Sequence, residues 1–312
     1  MKTFVPNYYK DFKCIAQKCK HNCCIGWEID IDEDTLSYYE NIKGNFSRKI
    51  KQGIEYNDEY ACFRLDGKGR CAFLNEKNLC DIILNLGEES LCQICSDHPR
   101  FRNYYSDRIE MGLGLCCEEA GRIILSQDTP FSLTLLSADF NENETDDSDT
   151  DFFLYRESLF EILNNKNFTL NEKIRKLSSY CEVETPEFSK DEWIDLFFSL
   201  ERLDDHWNIV LNNLKETNIS DVEIPDAYNK EFENLIKYFT YRHITIKNDS
   251  EMMFFILTSY YMIENICKMH IKKYYNLSSN DIINYCRLYS SEIEYSSENI
   301  DKIIETLYKN EP

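Results

Sequence analysis

Glycine is scarce and one-sided in this 312-residue chain: there are nine, none after Gly121. Positive charge is also scarce, with 35 Lys and Arg against 56 Asp and Glu and a formal net charge of -21. Such a chain is repelled by nucleic-acid phosphates and by anionic lipid, so a general nucleic-acid or membrane-surface binder is disfavoured. Long apolar runs are missing too. The most apolar stretch, residues 252–263, carries Thr258, Ser259 and tyrosines, which is too short and too polar to span a bilayer. The opening MKTFVPNYYKDFKC holds no apolar run of signal-peptide length, which points to a cytoplasmic protein. No glycine-rich dinucleotide or phosphate-loop fingerprint occurs, and the Gly112-x-Gly114 pair reads as a turn.

What remains divides into two chemistries. Residues 1–121 carry 16 basic and 20 acidic side chains, a net of -4; the rest carry 19 and 36, a net of -17. The expected organisation is a cysteine-rich metal-cluster part over 1–125, an acidic linker over 126–152 and a helical domain over 153–312. The fold class is mainly α, with the irregular cysteine-rich part packed against an all-helical C-terminal part. The acidic DFNENETDDSDTD at 139–151 has the composition of a solvated linker and lacks the turn glycine of an EF-hand loop. Beyond it, Thr169 with Glu172 and Ser189 with Glu192 are capping-box patterns, each opening a helical run. The second run, through DEWIDLFFSLERLDDHWNIVLNNL, reads as continuous. Further helices are expected near 226–242, 251–275, 281–289 and 297–308. In the first part, helices are expected near 34–42, 87–95 and 116–127, and CFRLDGKGRCAFL reads as two extended runs around a Gly67/Gly69 turn.

Cysteine is abundant. Of fourteen, eleven lie at or before Cys117, and all of these but Cys62 fall in three groups: Cys14-x4-Cys19-x3-Cys23-Cys24, Cys71-x8-Cys80-x11-Cys92-x2-Cys95, and Cys116-Cys117. In a reducing compartment clustered cysteines bind metal more often than they pair. Short separations let a tight turn aim two sulfurs at one ion. Cys62, Cys181, Cys267 and Cys286 stand apart and read as core residues, since a free thiol behaves as a small hydrophobe. Of the spacings, Cys92-x2-Cys95 makes a good zinc hook, whereas iron–sulfur clusters tolerate wider and uneven spacing. Thiolates alone suit either metal. His21 and His98 lie within the region as further candidate ligands. Cys19-x3-Cys23 begins like a radical-SAM hook, but the position for the third thiolate holds Gly26.

These residues resemble the flagellin lysine N-methylase family. The resemblance runs through Cys14, Cys19 and Cys23-Cys24-Ile25-Gly26-Trp27, then GRCAFL with Cys71, Leu79-Cys80, LGEESLC with Cys92, Cys95, Pro99-Arg100, and Cys116 with Glu118. FFLYRESLFEILNNKNFTLNEKIRKL and FENLIKYFTYRH are similar to its helical part. The sequence departs from the family at Cys117, in place of proline, and His98, in place of tyrosine. The resemblance implies methyl transfer from S-adenosylmethionine to lysines of flagellin, with a [4Fe-4S] cluster. It implies Cys14, Cys19, Cys23, Cys24, Cys71, Cys80, Cys92, Cys95 and Cys116 as cluster ligands. Nine thiolates exceed the four of one cubane, so a second metal site or structural cysteines follow. It names no catalytic or donor-binding residue; Arg100 and Glu118 read as helix-cap or ion-pair residues. A sulfonium donor is suited to aromatic faces, which attract cations by about 0.5–2 kcal/mol each, and 21 tyrosines are available.

Two other functions fit the same residues. One is a non-catalytic zinc- or iron-binding protein that docks a partner through its acidic helical half. The other, an iron–sulfur redox enzyme, has the thiolates alone in its favour.

Overall fold

The computed structural model describes residues 1–57, 60–138, 149–186, 189–246 and 249–309. The chain forms two compact units: Lys13–Arg100, and Met1–Phe12 together with Phe101–Pro312. The division thus falls at 12/13 and 100/101, not at 125/126. Residues 1–12 and 101–125, expected with the cysteine-rich part, belong to the helical unit. Residues 139–148, within the expected acidic linker, lie outside the described residues.

The larger unit is mainly helical but not purely so. Among the described residues it carries a four-stranded sheet in the order Arg100–Tyr104, Arg108–Leu113, Lys2–Pro6, Leu133–Ala138. Lys2–Pro6 runs parallel to Arg108–Leu113 (Thr3 opposite Ile109) and antiparallel to Leu133–Ala138 (Val5 opposite Thr134). The segment expected as linker therefore contributes an edge strand. The amino-terminal strand fills the gap left between a hairpin and that edge, satisfying backbone donors and acceptors on both its sides.

The helices bury one apolar set. Glu118–Leu125, Asn229–His243, Asp249–Tyr274 and Ser279–Tyr289 share a core that includes Leu115, Ile124, Phe239, Phe255, Ile266 and Tyr289. Both anticipated capping boxes are present: Thr169 and Glu172 open Leu170–Tyr180, and Ser189 and Glu192 open Lys190–Ser199. A third, Ser278 with Asp281, opens Ser279–Tyr289. The run expected to be continuous from Ser189 is broken into Lys190–Ser199 and Asp205–Glu216. Tertiary hydrogen bonds make the break. Glu201 N–H donates to Asn299 Oδ1 at 2.8 Å, Leu203 N–H donates to Glu292 Oε2 at 2.9 Å, and Asp204 accepts from the His206 N–H at 2.8 Å as a new cap.

The smaller unit has its own core of Ile29, Ile31, Tyr39, Ile50, Ile54, Phe63, Phe73 and Ile82. A three-stranded antiparallel sheet, Asp30–Ile31, Ala61–Phe63, Ile54–Tyr56, lies beside the short helices Glu33–Asn41, Ser47–Gln52, Asp81–Leu86 and Gln93–Asp97. Among the described residues no helix is long and apolar enough to cross a membrane.

Candidate functional site

All fourteen cysteines are free thiols. The smaller unit brings six of the expected ligands into one neighbourhood: Cys24, Cys71, Cys80 and Cys95 each feel the charge of others in the set, while Cys23 and Cys92 are hydrogen-bonded to Cys24 and Cys95. The local causes can be followed loop by loop. Gly26 and Gly69 both take positive φ, +94° and +71°, which side chains rarely adopt. Their freedom lets the two loops meet: Gly26 N–H donates to the Gly69 carbonyl at 2.9 Å, and Cys71 N–H donates to the Cys24 carbonyl at 2.9 Å. Asn22 Oδ1 accepts from the Cys24 N–H at 2.9 Å and shapes the turn from the other side.

Between Cys71 and Cys80 the chain loops back on itself. Arg70 donates to the Asn75 carbonyl at 3.1 Å and to Asn78 Oδ1 at 2.9 Å, and Asn75 Oδ1 accepts from Leu79 N–H at 3.1 Å. Cys80 is then the cap residue of Asp81–Leu86, and Cys92 the cap residue of Gln93–Asp97. Asp32 ties the second of these in place. One of its oxygens caps Glu33–Asn41 through Thr35 N–H at 3.0 Å; the other accepts from Gln93 N–H at 2.8 Å. Cys71 and Cys92 are buried in the small core, and Cys24, Cys80 and Cys95 pack on its edge.

The thiol electrostatics follow from this placement. Cys23 and Cys24 are hydrogen-bonded to each other, as are Cys92 and Cys95, so within each pair one thiol is favoured as thiolate at the expense of the other. Burial pushes Cys71 up to about 11, against N–H groups of Phe73 and Leu74 and reinforced by Cys80 and Cys92. Burial also raises Cys80, while the Ile82 and Ile83 N–H groups oppose it. Sulfurs at helix starts with N–H donors aimed at them are suited to carrying negative charge, the form that binds metal. Donor chemistry therefore fits a thiophilic metal centre. The side-chain positions themselves are not closed around one: among the described residues no three His, Cys, Asp or Glu side chains stand as a set that holds an ion.

Of the other three expected ligands, Cys14 and Cys19 belong to the smaller unit and Cys116 to the larger. Cys14 is exposed and accepts from Ala16 N–H at 3.4 Å, and Cys19 donates to the His21 carbonyl at 3.2 Å. Cys116 belongs to the helical unit, where it donates to Tyr295 Oη at 3.1 Å. His98 lies beside Trp27, with ring centroids 6.3 Å apart, and Trp27 Nε1 donates to the Cys23 carbonyl at 2.6 Å. Burial, with Arg100 adding to it, lowers His98 to about 4, so its ring is neutral at pH 7. Arg100 donates to the Ser96 carbonyl at 3.2 Å, and Glu118 sits in the first turn of Glu118–Leu125. Cys62, Cys181, Cys267 and Cys286 are buried, as expected of core residues.

The helical unit holds a polar network that sequence reading missed. Tyr238 Oη donates to Glu294 at 2.9 Å while accepting from Leu115 N–H at 3.1 Å and from Arg242 at 2.8 Å. Arg242 lies over the Tyr295 ring at 4.7 Å, and His243 Nε2 is 2.9 Å from Glu294. Arg242 and His243 read as the polar end of a helix in sequence. Nothing local in the sequence pairs them with a glutamate about fifty positions away.

Comparison with known proteins places this geometry in context. The chain is similar to lysine-N-methylases of Salmonella choleraesuis and Salmonella typhimurium. Each is 29% identical over 145 residues, covering 44% of this chain and 36% of the relative. It is likewise similar to the flagellar biosynthetic protein FliU of Salmonella muenchen, 29% identical over 134 residues, covering 41% of this chain and 79% of the relative. The chain thus matches 36% of the length of these lysine-N-methylases. No family profile matches the chain, and no solved structure does.

Proposed function

We propose that this chain is a protein-lysine N-methyltransferase acting on flagellin, with S-adenosylmethionine as methyl donor and a thiolate-bound [4Fe-4S] cluster in its smaller unit. The observation that carries the activity is the likeness to relatives named lysine-N-methylase and flagellar biosynthetic protein. The observation that supports the cluster is the gathering of six thiols in one neighbourhood, with the pairs Cys23–Cys24 and Cys92–Cys95 hydrogen-bonded to each other. Three or four of Cys23, Cys24, Cys71, Cys80, Cys92 and Cys95 would hold the cluster, one thiolate per iron, and an iron left without a thiolate would supply a Lewis-acidic position. Zinc is the second reading, favoured by the Cys92-x2-Cys95 hook.

In the reaction the lysine nitrogen lone pair attacks the donor methyl carbon. The methyl–sulfur bond breaks, its electron pair stays on sulfur, and the amine loses a proton. An amine of ordinary pKa, about 10.4, is protonated at pH 7. The enzyme must therefore desolvate the lysine or provide an acceptor for its proton.

The test has two arms. Anaerobic purification should yield a brown protein with iron and acid-labile sulfide in equal amounts; colourless protein with stoichiometric zinc selects the second metal. Incubation with methyl-labelled donor and flagellin should place label on lysine ε-nitrogens. Metal-loaded protein that transfers no label to flagellin removes the methylase reading and leaves a metal-binding partner protein.

A further inference from the structure

The helical unit, acidic overall, contains a cavity of about 290 Å³ into which four lysines converge. Lys230, Glu233, Asn234 and Lys237 recur along one face of the helix Asn229–His243. Lys173 comes from Leu170–Tyr180, Lys166 from the turn after Thr150–Asn164, and Asp128 from the loop after Glu118–Leu125.

The charges do not cancel. Lys173 pairs with Glu233 at 2.7 Å and Lys230 with Asp128 at 3.0 Å. Among the described residues Lys166 and Lys237 have neither a hydrogen bond nor an ion pair, so the lining keeps two positive charges unmatched. Lys166 stands at the exposed rim, while Lys237 is only 9% exposed. Most of the Lys237 side chain is buried, while its Nζ is not among the fully buried unpartnered atoms, so the charge is carried at the cavity wall with no protein partner among the described residues. Burial lowers the Lys237 pKa; Glu233 opposes this, and the nearby charges of Lys173 and Lys166 add to it. An arriving anion would relieve both the burial and the crowding of like charges.

We propose that this cavity binds a small molecule carrying a phosphate monoester, whose dianion matches the two uncompensated lysines, Lys166 and Lys237. The side chains of Asn164 and Asn234 are already committed to backbone partners, Phe131 for the first and Leu125 and Gln127 for the second. They hold the walls and leave the lysine ammonium groups to meet the ligand. Phe168 supplies an apolar wall for the rest of the molecule. The assignment does not depend on methyl transfer and can fail or stand separately from it.

Calorimetric titration of the full chain with inorganic phosphate and with a nucleoside 5′-monophosphate tests it. Saturable one-to-one binding is expected, weakened at least tenfold by Lys237→Met and by Lys166→Ala, restored towards wild type by Lys237→Arg, and unchanged by Lys215→Ala outside the cavity. Tighter binding of the ester identifies a phosphorylated metabolite, and equal binding identifies free phosphate; both support the site. If Lys237→Met unfolds by circular dichroism, Lys166→Ala on the rim decides. Absence of saturable binding of both probes to the wild-type chain overturns the site, as does undiminished binding in the folded cavity variants.

Discussion

Arg242 and Glu294 meet at 3.2 Å where the carboxylate is fully shielded from solvent and the guanidinium nearly so. Burial alone would push the Glu294 carboxyl up. The Arg242 charge, first, and the His243 hydrogen bond outweigh it and hold the group at about 2, below its usual 4.5. His243 is held below its ordinary value, burial outweighing the pull of Glu294, so it stays neutral at pH 7.

The pair has a consequence for acid stability. A carboxyl whose folded pKa is depressed stabilises the fold above its unfolded pKa, and that stability drains as pH falls through the folded value. For Glu294 the window is about 4.5 down to about 2, and the shift corresponds to a stabilisation of order 3 kcal/mol. Glu294→Gln should lower neutral-pH stability by roughly 3–5 kcal/mol, since it leaves the buried Arg242 uncompensated. The gap between variant and wild type should narrow below pH 4. Urea midpoints from pH 7 to pH 2, under reducing conditions, measure both; a gap independent of pH would show that Glu294 titrates normally.

The thiol set makes a prediction of selectivity. Among Cys23→Ser, Cys24→Ser, Cys71→Ser, Cys80→Ser, Cys92→Ser and Cys95→Ser, those at the ligating positions should cut metal content and, for an iron–sulfur protein, visible absorbance. Cys267→Ala and Cys286→Ala should keep both, at a stability cost of about 1–2 kcal/mol from lost core packing. Elemental analysis of anaerobically prepared variants is the measurement. Equal loss from core and clustered cysteines would mean that the effect is unfolding rather than ligation.

Gly112 is a packing constraint on the sheet. A Cβ there would lie 2.3 Å from the Phe101 ring and 2.9 Å from the Tyr241 ring. Gly112→Ala should therefore destabilise the helical unit by about 1–3 kcal/mol, the range typical of overpacking. Pairing it with Phe101→Leu should recover part of the loss. Thermal melts of the single and double variants would decide, and simple additivity would disprove the steric cause.

The capping boxes are worth less but are cleaner. Thr169→Ala, Ser189→Ala and Ser278→Ala each remove a side chain that accepts from the third residue of its helix. Each should cost about 1 kcal/mol with an unchanged denaturant slope. A changed slope would indicate that the helix start organises more than its own turn.

Much of the helical unit was legible because its signals are local. Cap residues announce starts, apolar spacing shows the buried face, and the absence of glycine keeps propensity high. The helices Leu170–Tyr180, Asp249–Tyr274 and Ser297–Lys309 lie close to where sequence puts them. The strand Leu133–Ala138 was not legible, because the partner that makes it a strand is the chain's own start at Lys2–Pro6. The same holds for the break after Ser199, which exists because Asn299 and Glu292 take up backbone N–H groups that a continuous helix would bond internally.

By itself the sequence determined which residues carry thiol chemistry, that the chain is acidic, and where most helices begin, since each is a property of neighbours along the chain. Tertiary structure alone decided that six of those thiols share one neighbourhood while Cys116 belongs to the helical unit, that Arg242 finds Glu294, and that Lys237 is left unpaired in a cavity. Those facts depend on groups tens of residues apart being brought together and dried. Burial and charge at such distances follow from packing, which no local pattern encodes.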